Sequence, residues 1–172
     1  MGWNLCLGKV LIRGELGNGI PPLLAGMLLA SFVAVAAERE LLPNGGFEEG
    51  GGEPRAWTAG KKAVEGELAW ASDTVRSGKR ALSILVRSYT PPAQGYGGAS
   101  WTSDLFSAPA ANVKLRVSAW IKAEKVTRGS QGFFQLRFTL YAFDETKTRK
   151  LRHADLVNLD GSFDWKRFEG AF

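Results

Sequence analysis

Two groups of side chains in the sequence combine aromatic rings with planar polar groups at every second position. The first group comprises Gln135, Arg137, Thr139 and Tyr141, and the second comprises Arg116, Ser118 and Trp120. An aromatic face packs against the apolar C–H face of a sugar ring, and planar polar side chains bind its hydroxyls through paired hydrogen bonds. These residue types therefore predict a carbohydrate-binding surface.

Period-two alternation places each group on one face of a strand, since 113–121 and 134–142 alternate apolar and polar residues. If these two strands share a sheet, the two groups form a single patch. We expect Trp101 and Tyr96, from a neighbouring strand and loop, to border that patch.

A plainer interpretation of the same residues stays open. Trp120 then packs under a loop, while Arg116 and Arg137 are simply solvated. For Trp57, Trp70 and Trp165, packing in the core or under a loop is the prediction, because each begins or ends an apolar face.

The acidic residues give little support for catalysis. A glycosidase needs two carboxylates that face one cleft. Most acids here fall at strand ends or turns, where acids are common in any protein: Asp104, Asp144, Glu145, Asp155, Asp160 and Asp164. His153, the single histidine, is predicted to be structural, and the sequence has no serine-hydrolase elbow, zinc-protease or phosphate-loop motif. We expect a binding protein and not an enzyme.

The charge pattern also argues against a nucleic-acid partner. The formal net charge is +5, and the acidic and basic residues are mixed along the chain. Residues 147–152 form the one local basic run, which contains no aromatic ring to stack on a base. So short a run neutralises few phosphates, and it is typical of a solvated hairpin end.

The first 37 residues have the features of a helical secretory signal peptide. Lys9 and Arg13 precede an apolar run over 23–36, which ends in the small-x-small sequence of residues 34–36. The run of about 15 residues is shorter than the roughly 20 that span a membrane. We expect cleavage after residue 36 or 37, contact with a membrane only during export, and a secreted, periplasmic or cell-surface protein. A retained membrane anchor is the alternative.

Residues 38–172 predict one all-β domain, a two-sheet antiparallel β-sandwich. Glycine, proline, β-branched and aromatic residues punctuate this part at short intervals. The predicted strands cover residues 64–70, 80–87, 99–106, 113–121, 134–142, 151–159 and 165–172. Residues 41–60 are predicted to be an entry loop. Cys6 is the single cysteine and lies in the predicted leader, so the mature domain is expected to hold no disulfide.

Four stretches in order carry a resemblance to a known family. They are Leu-Pro-Asn-Gly-Gly-Phe-Glu at 42–48, Ser-Gly-Lys-Arg-Ala-Leu-Ser-Ile at 77–84, Val-Ser-Ala-Trp-Ile-Lys-Ala at 117–123, and Asp-Trp-Lys-Arg-Phe-Glu-Gly-Ala-Phe at 164–172. Together they resemble the CenC-type carbohydrate-binding modules, whose fold is a galactose-binding-like jelly roll. The family continues with a further strand, so the resemblance predicts a domain that lacks its C-terminal strand.

The resemblance implies a monomeric accessory domain of a glycoside hydrolase or surface protein that binds a polysaccharide or cell-wall glycan. It requires no cofactor, and it implies Glu48 and Asp73 as oxygen donors for an optional structural calcium ion. Two other interpretations remain. One is a structural or protein-interaction β-sandwich without a sugar site, and the other is the N-terminal fragment of a secreted glycoside hydrolase.

Overall fold

The computed structural model describes residues 3–15, 40–90, 92–94, 97–108, 114–127 and 136–172. All regular secondary structure in these ranges is β, without a helix. Accordingly, these ranges contain no helix with the length and hydrophobicity needed to cross a membrane.

Nine strands are present in the described ranges. They are β1 (Trp3–Glu15), β2 (Trp57–Lys62), β3 (Val64–Ala71), β4 (Ala81–Tyr89), β5 (Gly98–Ser103), β6 (Lys114–Val126), β7 (Leu136–Phe143), β8 (Lys150–Leu159) and β9 (Gly161–Ala171). The seven predicted strands correspond to β3 through β9, so the all-β prediction is confirmed. The sequence patterns did not predict β1 or β2.

The strands form one larger sheet and two small ones. The larger sheet has the order β3-β4-β1-β6-β9, and β2 pairs with β5 and β7 with β8 in two-stranded sheets. Every strand pairing is antiparallel. This arrangement is compatible with a β-sandwich.

One face of the five-stranded sheet forms the hydrophobic core. Alternate residues of β1, β4 and β6 point to this inner face, because side chains of a strand alternate between its two faces. The buried residues there are Leu5, Val10, Ile12, Leu82, Ile84, Val86, Leu115, Val117, Ala119, Ile121 and Ala123. Trp57 of β2 and Leu159 of β8 are buried in the same cluster, and Phe138 and Leu140 of β7 pack against it. The small sheets therefore cover the inner face.

Strand β1 occupies the centre of the larger sheet. Along one edge it pairs with β4, where Leu5 lies opposite Ile84, and along the other it pairs with β6, where Leu5 lies opposite Ala123. Further along, the amide of Val10 donates to the carbonyl of Gly45 over 2.8 Å. Both edges of β1 are thus hydrogen-bonded to other parts of the chain.

The position of β1 differs from the sequence-based division of the chain. Trp3–Glu15 were expected in a helical leader, whereas the structure gives them an extended backbone inside the sheet. Alternation of buried Leu5, Val10 and Ile12 with outward-facing residues explains why the segment suits a strand. The predicted apolar run and cleavage site fall on residues 16–39, which lie outside the described residues, so cleavage stays a prediction.

Residues 40–56, which precede β2, are held by a small group of hydrogen bonds. The side-chain amide of Asn44 donates to the carbonyls of Glu49 (2.9 Å) and Arg55 (2.8 Å). Phe47 is fully buried and meets the ring of Trp57 edge-on at 5.1 Å between centroids. The indole of Trp70 donates to the carbonyl of Phe47 over 2.6 Å. Trp57 and Trp70 therefore pack as predicted, and they fix this segment against the sheet.

Candidate ligand-binding surface

The β7–β8 hairpin separates a core-facing side from a solvent-facing side. Phe138 and Leu140 pack against the core, while Arg137 and Tyr141, at the alternate positions, are exposed. Residues directly opposite each other in an antiparallel pair share a face. The partners across the hairpin are Asp155 for Thr139, His153 for Tyr141 and Lys150 for Phe143. We call Arg137, Thr139, Tyr141, Phe143, Lys150, His153 and Asp155 the hairpin face.

One end of the hairpin face is a polar network. The hydroxyl of Thr139 donates to one carboxylate oxygen of Asp155 over 2.7 Å, and Nη1 of Arg137 lies 3.3 Å from the other. The hydrogen bond from Thr139, and then the positive charge of Arg137, lower the pKa of Asp155 below its ordinary value. The Arg137 side chain is 40% exposed, and its guanidinium carries further N–H donors besides the one that meets Asp155.

The other end of the hairpin face is aromatic. Tyr141 is 44% exposed, and its ring centroid lies 6.4 Å from that of Phe143 and 5.9 Å from that of His153. Nζ of Lys150 lies 4.0 Å from the Tyr141 ring centroid in a cation–π contact. Flat rings and hydrogen-bonding groups therefore lie side by side on one exposed face.

The hairpin also borders an open groove of about 1780 Å³ between the inner face of the larger sheet and the small sheets. Trp101 of β5 lines the same groove as Arg137 and Tyr141. Its indole donates to the carbonyl of Ser83 over 3.0 Å, which fixes the half-buried ring against the core. Three of the predicted site residues therefore border one space.

The second predicted group lies on a different surface. β6 belongs to the five-stranded sheet and β7 to a two-stranded one, so the condition for a single patch is not met. Arg116 and Trp120 face away from the core, because their neighbours Leu115, Val117 and Ala119 are buried in it. Alternation gave the correct face of each strand, but the sheet to which a strand belongs depends on long-range pairing.

The Trp120 ring is covered on this outer face. The guanidinium carbon of Arg76 lies 3.4 Å from the Trp120 ring centroid. This geometry matches the plainer interpretation, in which Trp120 packs under a loop. Gln135 and Tyr96, the remaining predicted site residues, lie outside the residues whose placement the structure describes.

Glu48, one of the two predicted calcium ligands, holds a turn. Both of its carboxylate oxygens accept hydrogen bonds from the amide of Lys79, at 2.9 and 3.1 Å, and one also accepts from Arg80 at 3.4 Å. Gly78 has a φ of 76°, and a Cβ atom there would collide with this carboxylate. The turn therefore requires glycine, and its amides satisfy the carboxylate in the way that backbone nests bind anions.

Asp73, the other predicted calcium ligand, lines a small cavity of about 330 Å³ with Asn4 and Cys6. Burial, and then the negative charge of Asp73, raise the pKa of the Cys6 thiol to about 11. Within the described ranges no group of three or more histidine, cysteine, aspartate or glutamate side chains is arranged to hold a metal. The calcium ion therefore stays a prediction, and the described residues do not bring Glu48 and Asp73 together with a third such ligand.

Three aspartates have lowered pKa values. Thr146 donates a hydrogen bond of 2.7 Å to Asp144, and this bond is the main cause of the lowered pKa of that carboxyl. Lys122 does the same for Asp164 at 2.9 Å, and Thr139 for Asp155. These carboxyl groups are ionised at neutral pH and stay paired with their hydrogen-bond donors.

The sequence patterns missed the β8 side of the hairpin face. Asp155 had been assigned to a strand end and His153 to a structural role, and Lys150 to a solvated basic run. The turn between the two strands is closed by the amide of Lys147, which donates to the carbonyl of Asp144 over 2.9 Å, and counting outward from it gives an approximate pairing. Register shifts between Phe138 and Thr139 and between Ala142 and Phe143 displace the true partners from such a count.

No protein-family profile, curated protein or solved structure matches the chain.

Proposed function

We propose that the protein is a non-catalytic carbohydrate-binding domain whose ligand, a polysaccharide or cell-wall glycan, binds on the hairpin face. A galactose-binding-like jelly roll, export and a monomeric state belong to the same proposal. The observation that carries it is the exposed Tyr141 ring beside the network formed by Arg137, Thr139 and Asp155.

The chemistry of the hairpin face suits a sugar ring at two points. The apolar C–H face of a pyranose stacks on Tyr141, with Phe143 extending the apolar surface. The free donors of Arg137 and the acceptor oxygens of Asp155 then bind neighbouring hydroxyls. Because Thr139 and Arg137 already hold the carboxylate, little side-chain entropy is lost on binding.

Lys150 competes with the ligand for the Tyr141 ring. Its ammonium group lies over the ring, but the side chain is exposed, and exposed contacts of this kind are weak. A sugar ring displaces it at small cost.

The test is the binding of the full-length chain to a panel of soluble and insoluble polysaccharides, measured by affinity electrophoresis and pull-down. Tyr141→Ala is expected to weaken binding by about tenfold or more, because burial of one aromatic ring contributes about 1.5–3 kcal/mol. Lys150→Met should leave binding intact or strengthen it, since it uncovers the ring.

Leu151→Ala is the matched control, since Leu151 is 57% exposed on the same hairpin but does not line the groove that Arg137, Tyr141 and Trp101 border. It should bind like the wild type. If folded wild-type protein binds no glycan of the panel, the structural or protein-interaction β-sandwich becomes the better proposal. If Leu151→Ala and Tyr141→Ala lose binding equally, the ligand site is not at the Tyr141 ring.

A further inference from the structure

The place of β1 in the sheet is a slot that pairs with a strand along both of its edges. On one side, residues 3–7 pair with residues 82–86 of β4, and the amide of Leu41 donates to the carbonyl of Ile12 over 2.9 Å. On the other side, residues 4–15 pair with residues 114–124 of β6. Without β1, the facing edges of β4 and β6 lose their partners, and unpaired strand edges bind other strands readily.

The slot is selective for side chains as well as for backbone. Toward the core, Leu5, Val10 and Ile12 are 8%, 0% and 2% exposed. Away from the core, a Cβ atom on Gly8 would lie 3.1 Å from Cζ3 of Trp165 and 3.3 Å from Cβ of Trp120. These distances are already tight for a single carbon. The slot therefore accepts apolar residues on its inner side and a glycine where it passes the two indoles.

The contacts that hold β1 are all non-covalent. Residues 16–39 connect β1 to the next described residue, and this covalent link raises the effective concentration of the strand beside its partners. The hydrogen bonds to β4 and β6 and the burial of apolar side chains are available equally to a free peptide of the same sequence.

We propose that the slot between β4 and β6 is a strand-binding site. It recognises the Trp3–Glu15 segment as a peptide, whether or not residues 16–39 connect that segment to the rest of the protein. Its ligand class is an extended peptide of alternating apolar residues with a glycine opposite Trp120 and Trp165. The proposal is independent of carbohydrate binding, which involves the β7–β8 hairpin.

The experiment starts from the full chain with a recognition sequence for a site-specific protease inserted after Gly19. After cleavage, native mass spectrometry measures whether the N-terminal fragment stays bound. A fluorescein-labelled Trp3–Glu15 peptide is then added, and fluorescence anisotropy measures its binding. Urea below the unfolding midpoint speeds release of the original N-terminal fragment, so that exchange can be observed. We expect one fragment retained per molecule and exchange with the labelled peptide, whereas the uncut chain takes up none.

Two variant peptides test the selectivity of the slot. Gly8→Val should compete about tenfold or more weakly, because its side chain overpacks the space beside the two indoles. Lys9→Ala, at an exposed neighbouring position, should compete like the wild type. Loss of the fragment after cleavage overturns the proposal, whether the remainder stays folded or unfolds. Equal exchange of the Gly8→Val peptide, or retention without any exchange, also overturns it.

Discussion

The centre of the five-stranded sheet and the β7–β8 hairpin are built from the same alternating pattern but expose very different surfaces. In the sheet, Val10, Leu82 and Val117 are 0%, 0% and 1% exposed. On the hairpin, Tyr141 and Leu151 are 44% and 57% exposed. A central strand of the larger sheet is paired along both edges, whereas β7 and β8 form a two-stranded sheet in the described part of the chain.

The difference lies in how many sides of a strand are covered. Side chains on the inner face of the sheet meet the small sheets, so their apolar surface is removed from water. Only one face of the hairpin meets the core, and the polar and aromatic residues of the other face remain exposed to solvent. Stability should therefore depend on the sheet and binding on the hairpin.

The largest expected effect comes from a charge placed in the central strand. Val10→Asp places a carboxylate at a fully buried position between β6 and residue 45, and should cost about 4 kcal/mol or more in the free energy of unfolding. Urea unfolding followed by circular dichroism measures this cost. Lys9→Asp makes a similar change at an exposed position and should stay within about 0.5 kcal/mol of wild type. A normal unfolding midpoint for Val10→Asp would mean that β1 is not in the sheet.

A smaller effect compares two leucines directly. Leu82→Ala leaves a cavity in the core and should lower the free energy of unfolding by about 2–5 kcal/mol. Leu151→Ala removes the same atoms from an exposed position on the hairpin and should cost less than about 0.5 kcal/mol. Equal costs in urea unfolding would contradict the contrast between sheet and hairpin.

The smallest effect concerns acid stability at the hairpin face. The folded-state pKa of Asp155 lies below its ordinary value, so its contribution to stability is present above that value and is lost as the pH falls through the folded-state pKa. Thr139→Val removes the hydrogen bond that is the main cause of the lowered Asp155 pKa. This pKa should therefore rise toward 3.8, and the free energy of unfolding should depend less on pH in the acid range. NMR titration of the Asp155 carboxyl carbon measures the shift.

Thr102→Val is the control for this change, since it replaces an exposed threonine on β5. It should leave the titration of Asp155 unaltered. An unchanged Asp155 pKa in Thr139→Val would mean that the hydroxyl does not stabilise the carboxylate.

Local alternation was enough to predict β3 through β9, because strands with one face toward the core carry a period of two. β2 escaped prediction because only Trp57 in it is buried, and five exposed residues follow without alternation. β1 was not predicted because its basic residues, Lys9 and Arg13, precede the apolar run over 23–36. Basic residues followed by an apolar run are the sequence feature of an export signal.

Only the β7 side of the candidate site could be predicted from the sequence. Arg137 and Tyr141 follow from the alternation in β7 alone, whereas Asp155 and His153 require the register between β7 and β8. Two register shifts in that pairing are invisible in a local pattern. The separation of Trp120 from Tyr141 likewise depends on which strands pair over long distances.

The central position of β1 has a consequence for the order of events during translation. Lys114, where β6 begins, follows Glu15 by about 100 residues, which takes about 5–20 s at ordinary synthesis rates. Throughout that interval the strand has been made but its longer partner does not yet exist. Residues 4–15 can therefore complete their pairing with β6 only after that delay, so the middle of the sheet closes late although its central strand is synthesised first.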